Sequence, residues 1–445
     1  MKRCAWCFVT TLFCLGAAAE NENARHKDAE NVADSVDSVV LAHGSDENRS
    51  ENGGRNERGK ENEDFVRAYG AADDVVLNEG KGKGRSSVHQ IYGNRFDSAA
   101  ERIAGVYLNK KNIPGFKNYS EFIRSSWSRL YRESLSHIPS WTEKYLKKFC
   151  EKYDSLFYPF GGPDVSYAIN FFPHAKRYIL VGLEPLGNFD QIEKNLSNEE
   201  YYNSVRTAFS HYLRKGYFIT SEMQTQLSNA TIKGGLNLIL LALKKLEFNI
   251  LDVRNCSIDA DGNIADSSPD NINCIKIVCE KNSERKEIFY VRANLSNENS
   301  KLSYLTNFVH KFKFSTFVKS ASYALHDRNF TGIRSFILNE THCILQDDTG
   351  VPFNFFRQNW DVHIFGTYTK PTLQVFRSYK QNSLSEYYLN HQAEPISFPI
   401  GYGYTRRTPN LVFAVSLKKK VEEQLEKLKA QLEEKKCSCH KRLSK

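Results

Sequence analysis

Four carboxylates, a histidine and a pair of glycines stand where this chain could do chemistry. Asp164 follows Gly161-Gly162-Pro163 at the end of an apolar run over 156–160, and Glu184 closes a second apolar run over 178–183 just before Pro185. Asp347 and Asp348 end a third run over 343–346 and lead into Thr349-Gly350, while His326, Asp327 and Arg328 lie between the second and third runs. Short apolar runs that stop at an acidic residue have the pattern of buried strands, and the carboxyl ends of parallel strands are where open α/β sheets bind ligands. If the strands share one edge, these groups converge, with two kinds of chemistry open to them. In the first, Gly161 and Gly162 let backbone approach a ligand closely and Glu184 accepts hydrogen bonds from paired hydroxyls, which makes these three the cofactor- or ligand-binding candidates. In the second, Asp164, Glu184, Asp347 and Asp348 hold a divalent ion and His326 acts as acid or base in a hydrolysis. Each residue also has an ordinary structural role open to it: Asp164 as a helix cap, Asp347-Asp348-Thr349-Gly350 as a turn, His326 as a helix-end residue.

The elements that must position these residues read as an α/β domain over 96–415. Residues 156–187 follow the order strand, tight loop, helix, parallel strand, which predicts a Rossmann-like, largely parallel or mixed sheet with flanking helices. Ahead of it, 96–153 carries helical periodicity rich in aromatic residues and predicts an N-terminal helical cover. Beyond it, a helix is expected over 199–213, a buried helix over 232–243, a strand over 249–253, and a hairpin from 274–280 and 287–292. The segment 259–270, DADGNIADSSPD, has some calcium-loop spacing but no closing glutamate, and predicts an exposed turn. Helices over 302–312 and 317–326 and strands over 363–365, 372–376 and 411–415 complete the expected body. From 416 to 445 a charged helix is expected, with Val421, Leu425, Leu428 and Leu432 at heptad spacing. With only two heptads, it should pack on its own domain or give weak self-association.

The first nineteen residues have a Lys2-Arg3 head, an apolar run over 4–15 and small residues at Ala17-Ala18-Ala19, the layout of a cleaved export signal. The run is shorter than the roughly 18 residues of a membrane span, and a periplasmic or extracellular protein without a transmembrane segment is expected. Residues 20–95 read as disordered spacer and linker; 20–64 hold 13 acidic and 6 basic side chains and no aromatic ring. Removing the signal leaves seven of the ten cysteines, an odd number for an oxidising compartment. The whole chain carries a formal charge of +9. No zinc finger, recognition-helix pattern or aromatic RNA-binding motif accompanies that charge, so no nucleic-acid partner is expected. Gly-x-Ser-x-Gly and His-Glu-x-x-His are absent as well, which removes the most specific hydrolase signatures.

The segments YPFGGPD, YILVGLEPLG, FVKSASYALH and ILQDDTGVPFNFF resemble those of a family of uncharacterised exported bacterial proteins, over about 96–415. That resemblance implies export and domain extent. At the level of fold, GGPDVSYA followed by a strand ending at Glu184 is similar to the first two strands of class I methyltransferases. It implies a glycine loop at Gly161 and Gly162 beside the cofactor and Glu184 on its ribose. The usual Gly-x-Gly spacing is missing, and Asp164 puts a negative charge beside a cofactor carboxylate. The expected function is therefore recognition of an unidentified small molecule or cell-envelope component at the carboxyl edge of the sheet, its cofactor unknown. Metal-assisted hydrolysis and methyl transfer are the alternatives.

Overall fold

A computed structural model describes residues 94–106, 113–218, 226–227, 231–356, 358–402 and 409–443. The export signal expected over 1–19 and the spacer up to residue 93 lie outside the described residues. The described chain forms a mixed α/β fold around one ten-stranded sheet.

Four helices open it: α1 (Arg95–Ile103), α2 (Phe116–Glu133), α3 (Ile138–Tyr145) and the single turn α4 (Lys147–Cys150). They send Ile103, Tyr119, Ile123, Trp127, Leu130 and Trp141 into the core on one face of the sheet. The aromatic periodicity of 96–153 therefore marks a packed layer on a sheet face. β1 (Ser155–Tyr158), α5 (Val165–Phe171) and β2 (Arg177–Gly182) follow, with β1 and β2 parallel in the register Leu156↔Tyr178. Next come α6 (Phe189–Asn195), α7 (Glu199–Lys215) and α8 (Leu236–Lys245). Gly216 ends α7 in a left-handed conformation, φ 77°, which glycine adopts without a Cβ penalty.

β3 (Asn249–Ile258), the two-residue β4 (Ile264–Ala265), β5 (Ile272–Lys281) and β6 (Glu284–Arg292) form an antiparallel ribbon. Its β5–β6 turn is the pair Asn282-Ser283, both at positive φ, the geometry a two-residue hairpin requires. The acidic segment after β3 is a turn, in which the Asp259 carboxylate accepts from the backbone N–H groups of Asp261 and Asn263. The remaining elements are α9 (Leu302–His310), β7 (Phe314–Val318), α10 (Thr331–Glu340), β8 (Cys343–Gln346), β9 (Trp360–Gly366), α11 (Asn382–Asn390), β10 (Asn410–Ser416) and α12 (Leu417–Leu443).

Across the sheet the order is β4-β3-β5-β6-β2-β1-β7-β8-β10-β9. β6, β2, β1, β7 and β8 run parallel, and β10 is antiparallel to both of its neighbours. The central strands are buried on both faces, as parallel strands under two helical layers must be. Alternation along β1 divides the core: Leu156 and Tyr158 pack on the side of α1–α8, Phe157 on the side of α9 and α10.

Two expectations fail. The segment expected as a helix over 317–326 is the end of β7 and a loop, and the strand expected over 372–376 is a 3-10 turn, Gln374–Tyr379. The first carries no glycine or proline to announce a turn, and its shape comes from contacts across the sheet described below. The second has no neighbouring strand; instead Phe376 and Tyr379 stack around Tyr323.

α12 holds its own domain by its polar side. Glu423 meets Lys152 at 2.6 Å and the Tyr153 hydroxyl at 2.9 Å, Lys420 lies 3.4 Å from Asp361, and Glu426 lies 3.0 Å from Lys313. The heptad residues Val421, Leu425 and Leu428 point away and stay more than half exposed. No described helix is long and apolar enough to cross a membrane.

Candidate functional site

The loop after β1 and the loop after β2 meet at the carboxyl rim of the parallel strands. Gly162 N–H donates to Val181 O at 3.0 Å, which ties the first loop to the last turn of β2. Gly162 has φ +54°, and a Cβ there would lie 3.2 Å from Glu184 Oε2. At Gly161 a Cβ would enter the Tyr158 ring at 2.6 Å. Gly182, the last residue of β2, is the most constrained: its Cβ would lie 2.2 Å from Glu184 Oε2 and 2.8 Å from Gly162 Cα. Gly162 and Gly182 thus make the bed on which the Glu184 carboxylate rests, while Gly161 leaves room for the Tyr158 ring.

Glu184 is 4 % exposed, and its Oε2 has no hydrogen-bond partner among the described residues. Burial pushes its carboxyl pKa up, opposed by nearby backbone N–H groups and by the charge of Arg292. The Tyr290 hydroxyl, on β6 next to β2, is likewise buried without a partner. The loop carrying Glu184 is held from outside by Gly235 N–H to Pro185 O and Leu236 N–H to Leu186 O, both 2.9 Å, at the start of α8. Unpaired buried oxygens cost free energy, on the order of 1–3 kcal/mol each.

Asp164 sits on the other side of the same loop and is fully used by the protein. It caps α5 through the Tyr167 N–H at 3.4 Å and accepts from the Tyr158 hydroxyl at 3.1 Å and the Tyr212 hydroxyl at 2.7 Å. Its Oδ2 lies 3.1 Å from Lys319 Nζ, with both side chains 2 % exposed. Lys319 follows β7, also donates to Gly216 O at 2.6 Å, and stands 4.1 Å over the Tyr167 ring. A buried ion pair between the exits of β1 and β7 therefore neutralises the charge at Asp164.

Asp347 and Asp348, just past β8, extend this network. Asp347 accepts from Ser320 N–H at 2.8 Å and from Thr349 N–H at 3.0 Å, and burial raises its pKa despite these donors and the charge of Lys319. Asp348 accepts from the Tyr323 hydroxyl at 2.5 Å and from Asn410 Nδ2 at 3.2 Å. Burial, then the neighbouring Asp347, push the Asp348 pKa up to about 6. One donor to each acid, the Ser320 N–H and the Tyr323 hydroxyl, comes from the loop after β7, where Ser320, Ser322 and Tyr323 all have φ between 51° and 57°. A run of left-handed non-glycine residues costs about 1–3 kcal/mol each and persists only where surrounding contacts over-determine it. The carboxylate of Asp347, the Thr349 hydroxyl on Ala321 N–H and the Tyr402 hydroxyl on Ser322 N–H supply those contacts.

His326 stands one ring further out, edge-on to Tyr323 at 5.2 Å and to Tyr379 at 5.7 Å, with its Nε2 buried and unpaired. Burial, then the charge of Arg334, lower its pKa to about 4. A histidine titrates near 6.5 when unfolded, so acidification through this window protonates the unfolded chain first and removes stability, about 3 kcal/mol if complete. Asp348 acts with the opposite sign between about pH 6 and 4, because its raised pKa makes the folded form the better proton acceptor. In His326→Gln the histidine contribution disappears. Relative to the native chain, that variant gains about 2 kcal/mol at pH 4.5 compared with pH 7.5 in urea titrations. Equal pH profiles for the two proteins would show that the imidazole is not held neutral.

The structure thus brings Asp164 and Asp347 together around Lys319, joins Asp348 to them through Asp347, reaches His326 through Tyr323, and sets Glu184 apart over Gly162 and Gly182. Among the described residues, no group of three or more His, Cys, Asp or Glu side chains is disposed to hold a metal ion. Sequence reasoning missed Lys319, Tyr212, Tyr290 and Tyr323. Lys319 carried the best signal, a cation directly after FSTFV, a strand that is buried at every position. Compared with known proteins, the chain matches no family model and none of the curated sequences.

Proposed function

We propose that this chain is an exported ligand-recognition protein whose ligand presents paired hydroxyls, as a ribose does, to Glu184 at the carboxyl rim of β1, β2 and β6. The observation that carries this is the Glu184 carboxylate, 4 % exposed with one oxygen unpaired, above a floor of glycines. Strand order supports the same reading. Numbered in chain order, the five parallel strands run 3-2-1-4-5 across the sheet, so the connections reverse direction beside β1, where doubly wound sheets take ligands. The same geometry favours methyl transfer as the second reading. It accords with the resemblance to class I methyltransferases, and the Lys319 ammonium offsets the charge of Asp164 that such a cofactor would otherwise face. Metal-assisted hydrolysis draws less support, since Asp164, Asp347 and Asp348 spend their oxygens on protein donors.

Calorimetric titration with adenosine, 2′-deoxyadenosine and S-adenosylmethionine tests the proposal. Ribose-bearing probes bind, the deoxy probe binds about 10-fold or more weakly, and Glu184→Gln loses about 10- to 100-fold for the ribose forms. Saturable binding that Glu184→Gln leaves unchanged, or no binding of any probe at millimolar concentration, overturns it.

A further inference from the structure

Four of the five cysteines with described side chains meet in two pairs. Cys256 on β3 and Cys274 on β5 are register partners, with Sγ atoms 2.9 Å apart. Cys150, the last residue of α4, and Cys343, the first of β8, bring their Sγ atoms to 3.2 Å across 193 residues of sequence. All four are buried, Cys256 and Cys150 at 7 % exposure and their partners at 1 % or less. Single buried cysteines behave as small apolar residues and need no account. Two separate thiol–thiol contacts, on opposite faces of the sheet and each about 1 Å beyond a bonded S–S separation, do need one.

We propose that Cys256–Cys274 and Cys150–Cys343 are disulfide sites, closed by exchange with a small-molecule or protein disulfide. At the first site, the Cys256 thiolate attacks an incoming R–S–S–R, forming Cys256–S–S–R and releasing one R–S⁻. Cys274, deprotonated, then attacks the Cys256 sulfur and expels the second R–S⁻. Two thiols lose two protons and two electrons, and the incoming disulfide is reduced to two thiols. Cys256 is the attacking sulfur because it is the less buried of the pair, and the Cys274 S–H hydrogen bond lowers its pKa. Access is from the outer edge of β3, which is paired only at Ser257 and Ile258 with the two-residue β4. At the second site, exchange follows the same two steps between Cys150 and Cys343. Cys279 faces away from Cys274 on β5, and burial raises its pKa to about 12, so it stays a thiol. The inference does not depend on Glu184 holding a ligand. It requires an oxidant such as an exported chain meets.

The test is peptide mapping of the purified full chain, incubated with oxidised glutathione or with a phosphine reductant, then denatured and alkylated. No Lys or Arg lies between Arg254 and Lys276, so an aspartate-directed protease is combined with trypsin to separate Cys256 from Cys274. The oxidised sample yields linked peptides for both pairs and an alkylated Cys279, and its thermal midpoint lies at least about 3 °C above that of the reduced sample. Full alkylation of either pair after oxidation removes that site, and links that involve Cys279 overturn the pairing. Because the oxidant is added to pure protein, this result is independent of where the chain resides.

Discussion

Replacing Lys319 by methionine lowers the unfolding free energy by about 3–5 kcal/mol, because it strands the Asp164 carboxylate in a dry interior. Methionine keeps the length and apolar stem of lysine, so the loss is electrostatic and not a cavity. What disappears is a 3.1 Å ion pair at 2 % exposure, the donor to Gly216 O, and a cation over the Tyr167 ring. The tyrosine hydroxyls from Tyr158 and Tyr212 remain on Asp164, but hydroxyl donors do not cancel a net charge. Adding Asp164→Asn to the methionine variant restores roughly 2 kcal/mol or more, since the amide removes the unpaired charge and keeps the helix cap. Urea midpoints at constant slope read both numbers. A single-variant loss below about 1 kcal/mol would place the pair in water and remove the account of a sealed rim.

Gly182→Ala is expected to weaken adenosine binding at the proposed Glu184 site by about 10- to 100-fold while the fold survives. The added methyl meets Glu184 Oε2 at 2.2 Å and Gly162 Cα at 2.8 Å. The carboxylate is the free end of a side chain and can swing away, which empties the rim of its acceptor. The Gly162 backbone cannot move as cheaply, since its N–H is bonded to Val181 O at 3.0 Å. The expected cost is about 1–3 kcal/mol of stability from overpacking, and 10- to 100-fold in adenosine affinity. Glu184→Ala in the same background relieves the side-chain clash and recovers part of the stability, but none of the binding. If Gly182→Ala binds as the native chain does, the glycine bed does not position Glu184.

Much of the frame was legible from residue order alone. Apolar runs ended by Gly161-Gly162 and by Glu184 announced strands that exit at a shared rim, since an unbroken apolar run and glycine punctuation are local properties of the chain. The hairpin of β5 and β6, the long α7 with its Gly216 stop and the helical layer before β1 were legible for the same reason. Opposite faces for Cys274 and Cys279 also followed, because five positions along a regular strand invert the side. What tertiary structure decided was which groups are spent and which are left. The four acids look alike in sequence, yet Asp164 is consumed by a lysine 155 positions away, Asp347 and Asp348 by backbone and side-chain donors 25–62 positions away, and Glu184 by nothing in the protein on one of its oxygens. The loop after β7 read as helix because its residues favour one. Its left-handed turn exists only because acceptors distant in sequence, on Asp347, Thr349 and Tyr402, converge on its backbone N–H groups and hold it. Hydrogen bonds and ion pairs between remote segments have no local signature, so the identity of the unspent carboxylate could come only from the folded chain.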